Sequence, residues 1–482
     1  MRWDCMAFFF MRLMMGLSAV SLAPLLFALL VGEEAGGFFL LTALPLGLAA
    51  IFRLYARRPD ELTLREGIAV TGLSWLLASA LGAVPYIAGG WLGVLDGLLE
   101  SVSGFTGAGA TVMPSLEALP RSVLLWRSLT HWVGGIGIIV FFIALLPQFG
   151  EGAARLFEAE NAGPLPGRFM PRMKSMAQIL FAIYAALSLA AALAYWAAGM
   201  SVFDALNHGM STIATGGFST HDDSAAYFHS PAIEWCMIVF MLLSSVNFSL
   251  YAGMLRRGVG IFLRSEELRF FLALVFGCTV IITGLLTGTG MDAGEALRTA
   301  LFQTVTVGST TGFVSADFDQ WPPLAKCLLL VLMGMGGCAG STAGGMKAVR
   351  VLLFLRLTGI AARNGLSPKT TAETAFDGRR VRREELLSAG YFFFIYVSLC
   401  LLWALIFIWD GSAPLDAVSL AMTTMSDVGP ALGAWGATES YAALPDVSKI
   451  VVCLAMLLGR LEIFPVLAML RPGFWRKERG WD

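Results

Sequence analysis

The chain has 482 residues, of which 57% are hydrophobic and 14% charged, and its mean hydropathy is +0.73. Those values exclude an ordinary soluble domain, and a formal net charge of -1 gives no basic surface for nucleic acid. Apolar stretches of about 20 residues, enough to cross ~30 Å of hydrocarbon as helices, recur along the whole length.

Taken in order, the first apolar run covers 13–31 behind Arg2 and Arg12. It is longer than the ~7–15 residue core of a secretory leader and no small-residue cleavage pattern closes it, so it reads as a span. A second span, 36–52, ends at Arg53, Arg57 and Arg58. Four units then repeat one plan: a span, an acidic-led half helix, a glycine run and another span. They cover 67–146, 177–254, 270–357 and 386–470, which divides the chain into 1–60, 61–150, 151–257, 258–360 and 361–482. The expected fold is an all-α polytopic membrane protein with ten full spans and four re-entrant half helices. Of the 33 basic residues, 27 fall in the termini and the loops between units. That asymmetry predicts cytoplasmic N- and C-termini. On the opposite face 18 of the 34 acidic residues gather, an outer vestibule that would concentrate cations beside helix caps and solvated loop charges. The short basic tail leaves no room for a nucleotide-binding domain, so nucleotide control would come from another polypeptide. The seven cysteines are scattered, without disulfide or zinc spacing.

The glycine runs read SGFTGAGATV from Ser103, STIATGGFS from Ser211, VGSTTGFVS from Val307 and TMSDVGPALG from Thr424. They align on Gly109, Gly216, Gly312 and Gly429, at intervals of 107, 96 and 117 residues. Leading into them are DGLLES from Asp96, DALNHGMS from Asp204, EALRTALFQ from Glu295 and DAVSLAMT from Asp416. An acidic residue suits the positive end of a helix, so each partly negative C-terminus points at a glycine run. Four such ends on one point make a cation site. Backbone carbonyls can replace an ion's hydration shell where side chains are small, and glycine permits the close approach. The candidate ion-binding filter is therefore Ala108, Gly109 and Ala110; Thr215, Gly216 and Gly217; Thr311, Gly312 and Phe313; and Val428, Gly429 and Pro430. The alternative is that such glycines serve helix packing alone.

A second cluster, GMGGCAGSTAGGMK, places Gly334, Gly336, Gly337, Gly340, Gly344 and Gly345 ahead of Lys347. Each internal glycine costs a helix about 1 kcal/mol relative to alanine, so this span is expected to break around a loop able to act as a gate. Arg460 stands inside the last span, where a cation is a functional candidate. It would form a barrier beneath the carbonyls, or a structural pair with Glu462 or a half-helix carboxyl end. Asp427 precedes Val428 and Gly429, placed to attract cations or to brace its loop. His131, His208, His221 and His229 suit no metal spacing. Nothing pairs a nucleophile with a base, which counts against the rival class, a polytopic membrane enzyme or scaffold.

These motifs, together with WRSLTHWVGGIGI from Trp126 and GRLEIFPVL from Gly459, resemble the TrkH/TrkG group of bacterial potassium uptake proteins, related to KtrB and the plant HKT transporters. The two extra N-terminal spans are similar to those of TrkH. The resemblance implies a pseudo-fourfold pore in one chain, with K+ at Gly109, Gly216, Gly312 and Gly429. It further implies a gating loop at 334–345, Arg460 below the filter, a homodimer in membrane lipid, and a TrkA-like cytoplasmic ring that binds nucleotide and opens the gate. No covalent cofactor is implied. Sodium-favouring relatives tend to carry serine at the first filter glycine, so Gly109 points to potassium, with a Na+-conducting or Na+/K+ cotransporting member as the alternative. Asp427 and Ala431 depart from the small or amide residues common in copy four.

Overall fold

The computed structural model describes residues 1–58, 63–145, 173–366 and 375–475. Two helices, α1 (Trp3–Val31) and α2 (Gly36–Tyr55), form an antiparallel hairpin whose turn is made by Gly32 in the left-handed region. Glu33, just past that turn, accepts from the backbone N–H groups of Arg121 and Ser122 at 3.0 and 2.9 Å. It thereby satisfies two orphan donors at the start of a later span. Arg2 pairs with Glu66 at 2.7 Å, and Arg65 donates to the Gly473 and Phe474 carbonyls, so the first and last described segments meet at the start of the third helix.

Unit one is α3 (Leu64–Gly82), α4 (Val84–Ala88), the half helix α5 (Val94–Thr106) and α6 (Arg121–Leu145). Unit two is α7 (Met173–Ala197), the half helix α8 (Val202–Ile213), α9 (Pro231–Ser244) and α10 (Phe248–Arg257). After the short α11 (Gly260–Arg264), unit three runs through α12 (Glu266–Gly288), the half helix α13 (Ala293–Gly308), α14 (Pro323–Met335) and α15 (Ala348–Leu366). A two-residue hairpin, β1 (Ala375–Phe376) with β2 (Arg379–Arg380), precedes unit four. That unit is α16 (Arg383–Trp409), the half helix α17 (Pro414–Ser426), α18 (Asp446–Arg460), α19 (Ile463–Met469) and α20 (Pro472–Trp475).

Among the described residues six helices are long and apolar enough to cross a membrane. Two bent pairs, Pro231–Ser244 with Phe248–Met254 (88°) and Asp446–Arg460 with Ile463–Met469 (114°), raise this to eight. The remaining two of the ten spans expected would correspond to α6 and to the interrupted pair α14 and α15, which do not meet that measure among the described residues. The interruption falls where the glycine cluster predicts it, although Gly334 still belongs to α14. The two sharp bends were not expected. At the second, Glu462 takes φ +65°, a left-handed conformation that a non-glycine residue holds only under local constraint.

Each half helix starts two residues before its acidic residue, so Asp96, Asp204, Glu295 and Asp416 all occupy the third position of the first turn. There a carboxylate faces unpaired N–H groups and the positive end of the helix dipole. Two ion pairs link a half helix to another unit. Arg298 on α13 pairs with Glu234 on α9 at 2.9 Å, and Lys449 on α18 pairs with Asp96 on α5 at 2.6 Å. The second pair joins unit four back to unit one.

Candidate functional site

The four half helices end alike. In each, an amide just beyond the helix bonds to the carbonyl five residues back: Ala108 to Ser103, Gly216 to Ser211, Thr311 to Thr306 and Val428 to Thr423, at 3.0, 2.8, 2.8 and 3.0 Å. The residue before each amide is left-handed: Gly107 (φ +75°), Thr215 (+54°), Thr310 (+56°) and Asp427 (+53°). The residue after it is a glycine at positive φ: Gly109 (+75°), Gly217 (+78°), Gly312 (+84°) and Gly429 (+102°). This repeated turn is a helix C-cap that reverses the chain and satisfies its terminal carbonyls.

That pattern corrects the alignment of copy two by one residue. Gly217, not Gly216, corresponds to Gly109, Gly312 and Gly429. Gly216 is needed for a different reason, because any side chain there would strike the His131 ring. His131 stacks on Phe218 with centroids 4.0 Å apart and bonds Ser211 Oγ at 3.1 Å, which holds copy two against α6.

The corresponding glycines form a closed ring. A Cβ on Gly109 would collide with the Gly216 carbonyl oxygen, one on Gly217 with that of Thr311, and one on Gly312 with that of Val428. A Cβ on Gly429 would stand 2.7 Å from the Ala108 oxygen, which returns the ring to copy one. At each ring position the first contact with the next copy is therefore a backbone carbonyl. Four helix C-termini lie directly behind the ring, and their partial negative charges add to the carbonyl field.

Side chains on the half helices hold the loops in place. Glu100, His208 and Gln303 occupy equivalent positions, six residues before Thr106, Ala214 and Ser309. Glu100 accepts from Val112 N at 2.9 Å, His208 Nε2 bonds Ser219 Oγ at 3.0 Å, and Gln303 Nε2 donates to Ala316 O at 3.2 Å. In copy four Ser419 Oγ accepts from Leu432 N at 3.0 Å. Arg127, 1% exposed, pairs with Glu100 at 2.8 Å and also donates to Ser219 O at 3.0 Å, so one guanidinium joins copies one and two. Nothing local in the sequence pointed to Arg127 or Glu100 as the groups that fix these loops. Copy four is not equivalent to the others, because the Tyr441 hydroxyl donates to the Gly429 carbonyl at 2.6 Å.

The glycine cluster forms an irregular buried segment, 336–347, pressed against three of the half-helix ends. Thr342 Oγ1 donates to Ile213 O at 2.9 Å, Gly344 N donates to Thr310 Oγ1 at 2.7 Å, and a Cβ on Gly344 would meet Ser426 O. Two further bonds tie it to the bend between α9 and α10: Cys338 N to Ser245 O and Phe248 N to Gly340 O, both 3.0 Å. Lys347 lies at φ +70° and its ammonium donates to Ala343 O. Gly336, Gly340 and Gly345 take positive φ. Glu267, the second residue of α12, accepts from Ala339 N at 2.6 Å and Val349 N at 3.2 Å, both at Oε1. It clips the two ends of the loop together, a role its position in SEELRF did not disclose.

Arg460 does not pair with Glu462. Its guanidinium donates to Thr342 O at 2.8 Å and to Gly134 O at 3.1 Å, bridging the loop to α6. Glu462 instead pairs with Arg350 at 2.9 Å, one turn beyond the loop. Gly134 and Gly459 lie against the carbonyls of Phe105 and Met425, equivalent residues of copies one and four. These two glycines serve helix packing, as the rival reading expects for glycines within spans.

Comparison with known proteins decides the family. A family model described as a cation transport protein, TrkH, matches residues 46–475. The chain belongs to the TrkH family. It is 36% identical over 470 residues to the Trk system potassium uptake protein TrkH of Salmonella typhimurium, covering 95% of this chain and 96% of that one. It is 33% identical over 421 residues to the Trk system potassium uptake protein TrkG of Escherichia coli K12, covering 86% of each. The crystal structure of the potassium transporter TrkH from Vibrio parahaemolyticus superimposes with a TM-score of 0.90 at 34% identity, covering 99% of this chain and 100% of that one. This TrkH family member is thus an all-α, multi-pass membrane protein of a transport family, not an enzyme.

Proposed function

We propose that this chain takes K+ up across the bacterial inner membrane through a pore on the axis of the four-glycine ring. The observation that carries the reading is the closed backbone ring at Gly109, Gly217, Gly312 and Gly429, with four helix C-termini behind it. An ion entering it exchanges water for carbonyl oxygens and meets no side chain on the ring positions. Similarity to potassium uptake proteins supports the choice of ion. The units at 61–150, 151–257, 258–360 and 361–482 each supply one quarter, and 1–60 adds the flanking hairpin.

Beneath the ring the segment 336–347 acts as the gate, held by Arg460, Glu267 and the ends of the half helices. Releasing a handful of hydrogen bonds worth about 1 kcal/mol each sets the opening barrier at several kcal/mol, a range that a regulatory partner can supply. In this reading both termini are cytoplasmic, the assembly is a homodimer in lipid, and a separate TrkA-like nucleotide-binding subunit moves the gate.

The test is ion flux through purified protein in proteoliposomes, comparing K+, Rb+, Na+ and Li+ under an imposed gradient, with and without the cytoplasmic subunit and nucleotide. Flux of K+ and Rb+ well above Na+ and Li+ is expected. Equal K+ and Na+ flux would move the reading to a sodium-conducting member, and absence of flux with the partner present would overturn it.

A further inference from the structure

Thr111, Ser219, Val314 and Ala431 stand two residues past the four ring glycines, and the first three bond to a neighbouring unit. Thr111 O accepts from Tyr441 N of unit four at 2.8 Å, and Val314 O accepts from Ala226 N of unit two at 3.1 Å. Ser219 O differs, because its donor, at 3.0 Å, is the charged guanidinium of Arg127 from unit one. The same guanidinium donates to Thr111 Oγ1 at 3.2 Å and to Glu100 Oε1 at 2.8 Å. One side chain thus spans the equivalent positions of copies one and two.

A charged pair in that place needs a reason. Arg127 and Glu100 are both buried, and two ions taken out of water cost more than a neutral partner such as the Gln303 amide of copy three. That cost is offset only where the remaining edges of both groups are bonded. Glu100 meets this with Val112 N at 2.9 Å and Thr111 Oγ1 at 3.0 Å, besides Arg127. The guanidinium also lies 4.0 Å over the ring of Phe218, the residue after Gly217. A planar fork offers what a neutral side chain does not, several donors held in one rigid plane, and so fixes the distance between the groups it joins.

We propose that Arg127, held by Glu100, is a positioning residue that sets the spacing of copies one and two in the ring and with it the preference for K+ over Na+. The inference rests on the ring being the ion path. A single residue, Ala110 in copy one and Phe218 in copy two, separates Thr111 and Ser219 from their ring glycines, so a shift of the clamp passes directly to the ring. At that seam the Gly216 carbonyl already crowds Gly109, which leaves little freedom to absorb it. Carbonyl sites discriminate between ions by cavity size or by the number and field of their oxygens, and both depend on the spacing of the copies. Lysine keeps the charge that Glu100 needs but presents one flexible ammonium, which cannot hold Glu100, Thr111 and Ser219 in one plane. Arg127→Lys therefore separates clamping from charge compensation.

The experiment measures the K+/Na+ permeability ratio from reversal potentials in proteoliposomes, together with thermal melting, for the wild type, Arg127→Lys, the double variant Glu100→Gln with Arg127→Met, and Gly109→Ser. The double variant removes both charges, so neither is left buried alone. Arg127→Lys and the double variant should each lower the ratio at least about threefold, the effect of losing hydrogen bonds of ordinary strength, in protein that still melts cooperatively. Unaltered ratios in both, with a lowered ratio in Gly109→Ser, would overturn the clamp and leave the ring reading intact, since the pair would then serve folding alone. A ratio lowered in the double variant but not in Arg127→Lys would also overturn it, because charge and not the fork would be at work. Failure of both to fold would make the pair structural and count against the proposal in the same way. If Gly109→Ser leaves the ratio unchanged as well, the ring reading itself fails.

Discussion

Gly429 and the carbonyl of Ala108 stand so close that a single methyl on Gly429 would lie 2.7 Å from the oxygen, at a backbone φ of +102°. Gly429→Ala must therefore shift either its own loop or copy one. With strain of about 1–3 kcal/mol at such a position, and ~1.4 kcal/mol per tenfold, the K+/Na+ permeability ratio should fall roughly tenfold or more. Gly109→Ser meets the Gly216 carbonyl and should act in the same direction. Reversal-potential measurements under mixed gradients check both, and unaltered ratios would count against the ring as the filter.

Tyr441 provides a subtler test. Its hydroxyl donates to the Gly429 carbonyl, so Tyr441→Phe frees that oxygen from a competing proton and loosens its orientation. A change in K+/Rb+ selectivity is expected with the fold intact. The change should be small, because one neutral hydrogen bond contributes only about 0.5–1.5 kcal/mol. Matching selectivity sequences in the two proteins would remove Gly429 O from the pathway.

Arg460 and Glu267 hold the segment 336–347, the proposed gate, from different sides and make separable predictions. Arg460→Gln loses the charge behind the bonds to Thr342 O and Gly134 O, each worth about 1.5–3 kcal/mol, and should raise flux without the partner subunit roughly tenfold or more. Glu267→Gln keeps an oxygen where both bonds converge and should resemble the wild type, whereas Glu267→Ala should leak. Deleting part of 336–345 should leak most. Partner-free Rb+ flux ranks the four variants, and a tight deletion variant would mean that the segment only fills space.

On the side of the half-helix N-termini, burial and the neighbouring Glu117 hold the Asp222 carboxyl above its usual value, while bonding to Asp222 lowers that of Glu117. A raised carboxyl contributes stability that is complete below its unfolded value, about 3.9, and is lost as pH rises through the raised value. Asp222→Asn stays neutral, so its melting temperature should gain on the wild type as pH climbs from about 4 upward. A parallel offset at every pH would show that Asp222 does not titrate in this range.

Much of the architecture was legible because its cause is local. Hydrophobic runs marked the spans, acidic residues marked the starts of the half helices, and clustered glycines marked the break between α14 and α15. Copy two was misregistered because Gly216 and Gly217 are adjacent, and the bond from Gly216 N to Ser211 O together with the positive φ of Gly217 tells them apart. The bends at Ser245–Asn247 and at Glu462 lie in stretches without a glycine or proline cluster, so composition gave no warning. The partners of Arg460 lie 118 and 326 residues away in sequence, whereas Glu462, two residues off, was the tempting choice. Contacts of that range depend on how the units close on one another, which no local pattern encodes.

The contact between Gly429 and Ala108 also has a meaning for biosynthesis. Its two residues are the most widely separated neighbours in the ring, so ring closure waits until nearly the whole chain has left the ribosome. A nascent chain lacking its final quarter has three carbonyl edges and no enclosed path. On the proposed reading of the ring as the ion path, unfinished copies would enclose no route for ions, and premature termination would yield an inert product.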